Sequence, residues 1–392
     1  MKLFIIPSWY PSASYPNTGI FLKEQAQVIA RKNPTWKMGI SLWGSHEPSL
    51  WIRIFRPLDS IFKLTSRFPI RPHENMLEAN CIEFFTPAHT WTRKLRRGNL
   101  QKITEANEAN FKKYLSYFGK PDLILAEITY PAGWIAMELS KKYQIPFVIR
   151  EHSSPFPLPS FSNNLIKTLI PPLQLADAVL AVGDNLKEEL KAYHIEAKQA
   201  LNFIDLDFFT LSKKVDRKTP VIFSLGRLVH QKGFDLLLEA LSGLVDQPWE
   251  LRIGGSGPLD DSIHKLVKKY GLSDSVRFLG ELDRLQVKRE MQACTFFVLP
   301  SRHESFGVVL IEAMACGKPV VTTRCGGITN ELPEHTAIKC EADASAIVKG
   351  IKKMLETYDQ YNPSESRDFV KENYSVDQAV KLYEAVLKEI SQ

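Results

Sequence analysis

Short apolar runs typical of β-strands alternate with runs typical of α-helices, and this alternation occurs twice along the chain. The predicted strands cover 2–6, 36–43, 122–127, 146–151 and 178–183, then 221–226, 249–255, 275–280, 295–300 and 318–323. Helices are predicted near 21–32, 132–143, 184–193, 233–244, 259–270, 284–293 and around Glu312. Strands that alternate with helices of this length form parallel sheets covered on both faces. The sequence therefore predicts an α/β fold with two Rossmann-like domains.

A polar, lysine-rich stretch that ends in proline, LSKKVDRKTP (211–220), separates the two series of strands. The length of 392 residues also favours two domains, because single hydrophobic cores stop growing at roughly 250–300 residues. We predict a first domain at 1–205 and a second at 206–375. The last segment, 376–392, is predicted to be an amphipathic helix that packs back toward the first domain.

Several classes of protein do not fit the sequence. The five cysteines are scattered and form no C-x-x-C pair, which argues against a disulfide framework or a zinc site. The apolar run 3–6 is too short for a signal peptide, and no run approaches the roughly 20 residues of a membrane span. A cytoplasmic protein is expected, and peripheral contact with the inner face of the membrane is compatible with it.

Basic residues are concentrated in the first half of the chain. Residues 1–200 contain 25 lysines and arginines against 17 acidic residues, whereas 201–392 contain 25 against 27. The segment 51–71 interleaves five basic residues with aromatic and aliphatic ones, which suits an anionic membrane surface or an acidic saccharide. A packed helical segment with a solvated basic face is an equally good interpretation. No nucleic-acid partner is expected, because no recognition motif accompanies the charge.

Candidate ligand-binding loops follow the strands of the second half, since open parallel sheets bind ligands at the carboxyl ends of their strands. Arg227 and Lys232 follow one strand, where two cations near a helix N-terminus can hold a diphosphate. Taken alone, such a pair is more often solvated. The glycine turn GGSGPL (254–259) follows the next strand and lets a backbone approach a ligand closely.

The third loop opens the stretch SRHESFGVVLIEAMACGKPVV (301–321), with Glu304 just before a predicted helix and Glu312 two turns into it. The amides around Gly307 and Val308 are expected to point at an anion. Carboxylates accept hydrogen bonds from hydroxyl groups, so phosphates flanked by hydroxyls, as in a nucleotide sugar, fit this pattern. The alternatives are a helix-capping role for Glu304 and a partly exposed helical position for Glu312.

The series SLGRLVHQKG (224–233), RIGGSGPL (252–259), VRFLGEL (276–282) and 301–321 resembles the retaining GT-B-fold glycosyltransferases (family 4, glycosyl transferases group 1) of bacterial cell-surface polysaccharide synthesis. The first half resembles them through YPNTGIFLKEQA (15–26), EHSS (151–154) and ADAVLAVGDNLKEEL (176–190). The resemblance implies two Rossmann-like domains that face each other across a cleft, with the acceptor bound by the first domain and the donor by the second.

The resemblance also implies roles for residues of the second domain. Arg227 and Lys232 match the pair that binds the donor diphosphate, Glu312 matches the glutamate that holds the ribose, and Glu304 matches the glutamate beside the transferred sugar. The other implied donor contacts are Gly255, Ser305, Phe306, Gly307 and Val308, together with Phe278 and Leu279 beside the nucleotide base.

In the first domain, the resemblance places Gly19 in the loop that the diphosphate and the acceptor approach, and His152 facing the reacting sugar. The first loop has only Gly19 where many relatives have two glycines. The domain-boundary motif has Phe203 in NFID (202–205) where many relatives have glycine. The first departure weakens the expected phosphate contact, and the second affects the interdomain turn.

The implied activity is retaining transfer of a hexosyl unit from a UDP- or GDP-sugar to a saccharide or lipid-linked acceptor. No H-E-x-x-H or D-x-D cluster lies near the phosphate loops, so neither a metal nor another cofactor is expected. A nucleotide-sugar hydrolase or epimerase, a non-catalytic nucleotide-sugar-binding scaffold subunit, and a membrane- or nucleic-acid-binding protein that uses 51–71 are the competing hypotheses.

Overall fold

The computed structural model of the chain describes residues 1–45, 47, 50–52, 70–91, 96–212, 218–244 and 247–390. Its contacts define two compact units, of which unit 1 comprises 1–182, 186–200 and 380–392, and unit 2 comprises 183–185 and 201–379. The boundaries predicted from the sequence, at 205 and 375, stay predictions. Most of the basic segment 51–71 lies outside the described residues, and its proposed contacts stay predictions as well.

Strands and helices alternate along unit 1. The strands are β1 (Lys2–Pro7), β2 (Lys37–Leu42), β3 (Trp51–Ile52), β4 (His73–Glu78), β5 (Cys81–Phe85), β6 (Thr90–Trp91), β7 (Leu123–Glu127), β8 (Phe147–Glu151), β9 (Ala178–Ala181) and β10 (Lys198–Gln199). The helices among them are α1 (Ile20–Lys32), α2 (Arg96–Phe118), α3 (Trp134–Tyr143), α4 (Asn163–Leu175) and α5 (Asp184–Lys191).

Within the described part of unit 1, eight strands form one sheet in the order β10-β9-β8-β7-β1-β2-β5-β4. Neighbouring strands are parallel, apart from the antiparallel pair β4 and β5 at the edge. The central strands β7 and β8 are buried along their whole length, as expected when helices cover both faces of a parallel sheet.

Unit 2 repeats the same pattern. Its strands are β11 (Val221–Leu225), β12 (Glu250–Gly254), β13 (Val276–Gly280), β14 (Phe296–Leu299), β15 (Val320–Thr323) and β16 (Ala337–Cys340). Its helices are α6 (Phe234–Ser242), α7 (Asp260–Lys269), α8 (Arg284–Ala293), α9 (Val308–Ala315), α10 (Ala344–Thr357) and α11 (Pro363–Asn373). The last helix, α12 (Val376–Ile390), belongs to unit 1 from Val380 onward.

The described strands of unit 2 are all parallel, in the order β13-β12-β11-β14-β15-β16. Leucine, isoleucine and phenylalanine side chains from β11, β12 and β14 pack against α6, α7 and α10 in one apolar core. The predicted fold class, an α/β protein with two Rossmann-like parallel sheets, is therefore confirmed.

Each sheet grows in two directions from its first strand. In unit 1, β2 and β5 lie on one side of β1 while β7, β8 and β9 lie on the other, and in unit 2 the sheet changes direction between β11 and β14. Open α/β sheets bind ligands at the carboxyl ends of the strands at such a topological switch point. The expected places for ligands are thus the ends of β1 and β7 in unit 1 and of β11 and β14 in unit 2.

No helix in the described part of the chain combines the length and hydropathy that a membrane span requires.

Candidate functional site

At the switch point of unit 2, Lys232 pairs with Glu304. Lys232 ends a short 3-10 turn after β11, and Glu304 lies in the loop after β14. The lysine Nζ lies 2.6 Å from Glu304 Oε1, and the Ser301 hydroxyl donates to the same oxygen at 2.6 Å. The two loops touch at Gly233, where a Cβ atom would lie 2.0 Å from the Pro300 carbonyl oxygen, so only glycine fits there.

Glu304 is buried rather than solvated, with 5% of its surface exposed. Its backbone N–H donates to the Cys325 carbonyl at 2.8 Å, which fixes the loop against the segment that follows β15. The N-terminus of α9 has no side-chain capping hydrogen bond, so the alternative interpretation of Glu304 as a helix cap is wrong. A buried carboxylate with a lysine partner can instead exchange that partner for a ligand.

The N-terminus of α9 presents backbone rather than side chains. Gly307 adopts φ 91°, a left-handed conformation that favours glycine, and the helix begins at Val308. Ser305 is half-buried, while the Phe306 ring is buried and meets Tyr374 edge-on at 5.7 Å. Phe306 can therefore take part in ligand binding only through its backbone.

Glu312 is buried inside α9, with 2% of its surface exposed. Arg284, at the start of α8, donates to Glu312 Oε1 at 2.7 Å, whereas Glu312 Oε2 is buried and has no hydrogen-bond partner in the described structure. The alternative interpretation of Glu312 as a partly exposed helical residue is therefore wrong. A buried acceptor without a partner is costly, and Oε2 can accept a hydrogen bond from a ligand.

Arg227 is exposed at the carboxyl end of β11, and its guanidinium contacts no acceptor among the described residues. The adjacent Gly226 is packed against Gly255, where a Cβ atom would lie 2.0 Å from the Gly226 carbonyl oxygen. Gly255 also adopts φ 114°, so glycine is required there. Gly255 thus allows the close approach that holds the loop before Arg227.

Phe278 and Leu279 lie in β13, at the edge of the sheet, and both are half-buried. One face of the Phe278 ring stacks on His264, with 3.7 Å between ring centroids and 27° between ring planes. Whether these residues contact a base stays a prediction from the resemblance.

In unit 1, three charged or titratable side chains converge at the carboxyl ends of β7 and β8. Arg150 Nε donates to Glu127 Oε2 at 2.9 Å, and His152 Nε2 lies 2.8 Å from the same oxygen. Arg150 also donates to Tyr383 Oη at 2.7 Å and to Gln25 Oε1 at 2.6 Å. Sequence reasoning found His152 but missed Glu127 and Arg150, although each is a charged residue at the end of a buried apolar strand.

Burial and charge determine the protonation of this cluster. Burial lowers the pKa of His152, and the positive charge of Arg150 acts in the same direction, so the ring is neutral at neutral pH. Burial would raise the pKa of Glu127, but Arg150 and His152 outweigh it and hold that pKa below its usual value. The ionised Glu127 carboxylate favours a proton on His152 Nε2, although Arg150 Nε also points at that nitrogen from 3.2 Å. The buried Nδ1 has no hydrogen-bond partner in the described structure.

Gly19 precedes α1 and adopts φ 65°. A Cβ atom there would lie 2.6 Å from the Trp9 carbonyl group, so glycine is required by the close approach of the loop that follows β1. The predicted approach of a phosphate to Gly19 stays a prediction.

Among the described residues, no group of three or more histidine, cysteine, aspartate or glutamate side chains is arranged to hold a metal ion.

Comparisons with known proteins agree with this description. Residues 83–208 match the family model "Glycosyltransferase Family 4", and residues 207–375 match the model "Glycosyl transferases group 1". TuaC of Bacillus subtilis (strain 168), a glycosyltransferase assigned to teichuronic acid biosynthesis, is 28% identical to this chain, and the alignment covers 86% of this chain and 84% of TuaC.

Solved structures share the fold. Sucrose-phosphate synthase from Thermosynechococcus elongatus superposes with a TM-score of 0.78 and 20% identity, covering 99% of this chain and 100% of its own. HepE from Anabaena, in complex with UDP and glucose, superposes with a TM-score of 0.70 and 17% identity, again covering 99% of this chain and 100% of its own. The neighbours have the GT-B fold, as the sequence predicted for this chain.

Proposed function

The chain belongs to the glycosyl transferases group 1 family, and from this premise we propose that it is a retaining transferase that moves a hexosyl unit from a nucleotide sugar to a saccharide or lipid-linked acceptor. In the transfer, the bond between the anomeric carbon and the diphosphate oxygen breaks. A bond from that carbon to the acceptor oxygen forms on the same face of the sugar. The proton of the acceptor hydroxyl passes to the leaving diphosphate.

The observation that carries this proposal is the pairing of Lys232 with Glu304 beside the N-terminus of α9. When a nucleotide sugar enters, Lys232 exchanges Glu304 for the diphosphate, and Glu304 becomes free to accept hydrogen bonds from the sugar hydroxyls. The exposed Arg227 and the amides at Gly307 and Val308 add to the stabilisation of the leaving charge. Lys232, Arg227 and Glu304 are thus the proposed reaction centre of unit 2.

The remaining proposed contacts bind the donor. Glu312 Oε2 accepts from the ribose hydroxyls, which supply the donor that this buried oxygen lacks. Gly255, Ser305 and the backbone of Phe306 border the phosphates, while Phe278 and Leu279 border the base. In unit 1, His152 Nδ1 accepts from a hydroxyl of the reacting sugar, and Gly19 allows the substrates to approach.

The proposed setting is cell-surface polysaccharide or glycolipid assembly in the cytoplasm, at the inner face of the membrane. The assignment of TuaC to teichuronic acid biosynthesis supports it, and so does the basic segment 51–71 of the sequence. The surface-binding role of that segment stays a proposal.

Nucleotide binding provides the first test. We expect one of UDP, GDP and ADP, at about 100 times its Kd, to raise the Tm by roughly 5–10 °C. Arg227→Ala should lose most of this shift, because it removes a charge-assisted hydrogen bond to the diphosphate. Lys268→Ala, which removes an exposed lysine of α7, is the matched control and should keep the shift.

The outcomes of this test separate the competing hypotheses. No shift with any nucleotide would contradict the proposal. A shift accompanied by release of free sugar without an acceptor would indicate a hydrolase, and a shift with no turnover of any nucleotide sugar would favour a scaffold subunit.

The role of Glu312 is tested with the nucleotide that binds and its 2′-deoxy analogue. In the wild type the missing hydroxyl should weaken binding roughly 10-fold or more, the usual effect of losing a hydrogen bond to a charged group. In Glu312→Gln the difference between the two ligands should shrink to about 3-fold or less, because a neutral amide oxygen is a weaker acceptor than a carboxylate. Titration calorimetry measures all four affinities, and Glu290→Gln, a second arginine-paired glutamate of unit 2, is the control. Equal discrimination in wild type and Glu312→Gln would exclude a ribose contact.

A further inference from the structure

An aromatic pocket lies at the ligand-binding edge of unit 1. It has a volume of about 290 Å³ and is lined by residues that follow β1, β2, β5, β7 and β8. These strands are neighbours in the sheet and include the switch point between β1 and β7. The pocket thus occupies the position in the fold where ligands of open α/β sheets bind.

The lining of the pocket is dominated by aromatic side chains. Trp9, Trp43, Trp51, Tyr130 and Phe161 surround it, with small hydroxyl-bearing residues and aliphatic side chains between them. None of the lining residues within the described part of the chain is charged. A phosphate, carboxylate or ammonium group would therefore be desolvated here without a charged partner among the described residues, which is unfavourable.

The pocket nevertheless offers hydrogen-bond donors. No acceptor among the described residues takes a hydrogen bond from the indole N–H of Trp9, Trp43 or Trp51. Indole nitrogens only donate, so a ligand must bring acceptors such as hydroxyl oxygens. A hydrocarbon chain has no hydrogen-bond acceptors. The volume of the pocket is at the lower end of the range of roughly 300–1,000 Å³ that is usual for small-molecule sites.

A neutral pyranose ring meets all of these conditions, because its C–H face is apolar and its rim carries hydroxyl groups. We propose that the aromatic pocket binds an uncharged sugar residue of the acceptor, an inference that rests on the proposed transferase function. The donor diphosphate requires cations, which unit 2 provides. The acceptor is therefore the substrate that remains for this pocket. Ser153 connects the pocket to the cluster described above, since it lines the pocket and directly follows His152.

Trp9 is the best position for a test. It is half-buried, and its backbone is fixed by the close approach of Gly19. Trp9→Ala removes the aromatic face and the donor, whereas Trp9→Phe keeps a face and removes only the N–H. Tyr117→Ala is the matched control, because Tyr117 is an aromatic residue of unit 1 that is 54% exposed and lies outside the pocket.

The experiment is saturation-transfer difference NMR without a donor, with the methyl glycosides of glucose, galactose, mannose, N-acetylglucosamine and glucuronic acid as probes. We expect at least one neutral glycoside to bind with a millimolar Kd and the glucuronide at least 10-fold more weakly. Binding should be lost in Trp9→Ala, reduced in Trp9→Phe and unchanged in Tyr117→Ala. Far-UV circular dichroism verifies that each variant is folded.

Three results would overturn the proposal: no neutral glycoside binds, the glucuronide binds as well as the neutral glycosides, or Trp9→Ala binds as the wild type does. Because these measurements use no nucleotide, they fail independently of the donor proposal. Nucleotide stabilisation without glycoside binding would refute the pocket assignment alone, and glycoside binding without nucleotide stabilisation would refute the transferase proposal alone.

Discussion

Replacing Lys232 with alanine is expected to lower kcat/KM for sugar transfer by roughly 10²–10³-fold, the usual effect of removing one group that stabilises developing charge. The Lys232 ammonium lies 2.6 Å from Glu304 and is the only described cation paired with that carboxylate. Without it, the buried Glu304 keeps only the Ser301 hydroxyl as a side-chain partner and repels an incoming diphosphate. The loss therefore has two sources, a missing cation and an uncompensated anion.

A double variant separates these two sources. If Lys232 only neutralises Glu304, then Lys232→Ala/Glu304→Gln should bind a nucleoside diphosphate as tightly as Glu304→Gln does. If Lys232 also contacts the diphosphate, as proposed, the double variant should bind it roughly 10-fold more weakly, while the affinity for the nucleoside monophosphate is unchanged. Calorimetric titrations with the two nucleotides measure the difference and need no acceptor.

Lys268→Ala serves again as the control and should retain the wild-type affinities for both nucleotides. The assignment of Lys232 fails if Lys232→Ala distinguishes the diphosphate from the monophosphate as strongly as the wild type does.

The central parallel strands were predictable because they are continuous apolar runs. β1, β7 and β8 begin and end within one or two residues of the predicted bounds, and all of their central positions are buried. The edge strand β4 has the sequence HENMLE and is largely exposed, so no apolar run marks it, and its antiparallel partner β5 was also missed. The helix α2 has only a weak amphipathic pattern and was not predicted either.

The residues of the candidate site were likewise predictable only in part. Glu304 and Glu312 stand in one contiguous motif, and Lys232 follows a recognisable strand, so their shared sheet edge could be inferred before the structure. The partner of Glu312, Arg284, comes 28 residues earlier and meets it only through the packing of α8 and α9. Of the pocket tryptophans, Trp9 and Trp43 are distant in the sequence and meet because β1 and β2 are neighbours in the sheet.

Removal of Glu127 is expected to produce the largest loss of stability in unit 1. Glu127→Ala leaves Arg150, which is 2% exposed, as a buried guanidinium without its carboxylate, and breaking such a pair reduces the free energy of unfolding by about 3–5 kcal/mol. Glu127→Gln should be less damaging, because the amide oxygen still accepts from Arg150.

Glu108→Ala is the control. Glu108 lies near the surface, where Lys142 and Lys112 hold its pKa at about 2. Removal of the Glu108 carboxylate should reduce the free energy of unfolding by less than about 1 kcal/mol.

The same cluster predicts how stability depends on pH. His152 and Glu127 both have pKa values below their usual ones, so the unfolded chain binds more protons than the folded chain in mild acid. The free energy of unfolding should therefore fall as the pH drops below about 6.5 and fall further below about 4.3, the ordinary pKa values of histidine and glutamate. His152→Asn should remove the first of these two decreases, whereas Glu127→Gln should reduce the second.

Native-state hydrogen exchange, read on peptides from β7 and β8, measures these free energies within unit 1, and peptides from β11 and β12 serve as the internal reference. We expect Glu127→Ala to lose protection in β7 and β8 but not in unit 2. Equal losses in Glu127→Ala and Glu108→Ala would show that the buried pair contributes no more than a surface one. The measurements at pH 7.5 and 5 lie on either side of the ordinary histidine pKa, each about one unit or more away from it. If protection in β7 and β8 is the same at both pH values, His152 does not titrate differently in the folded and the unfolded chain.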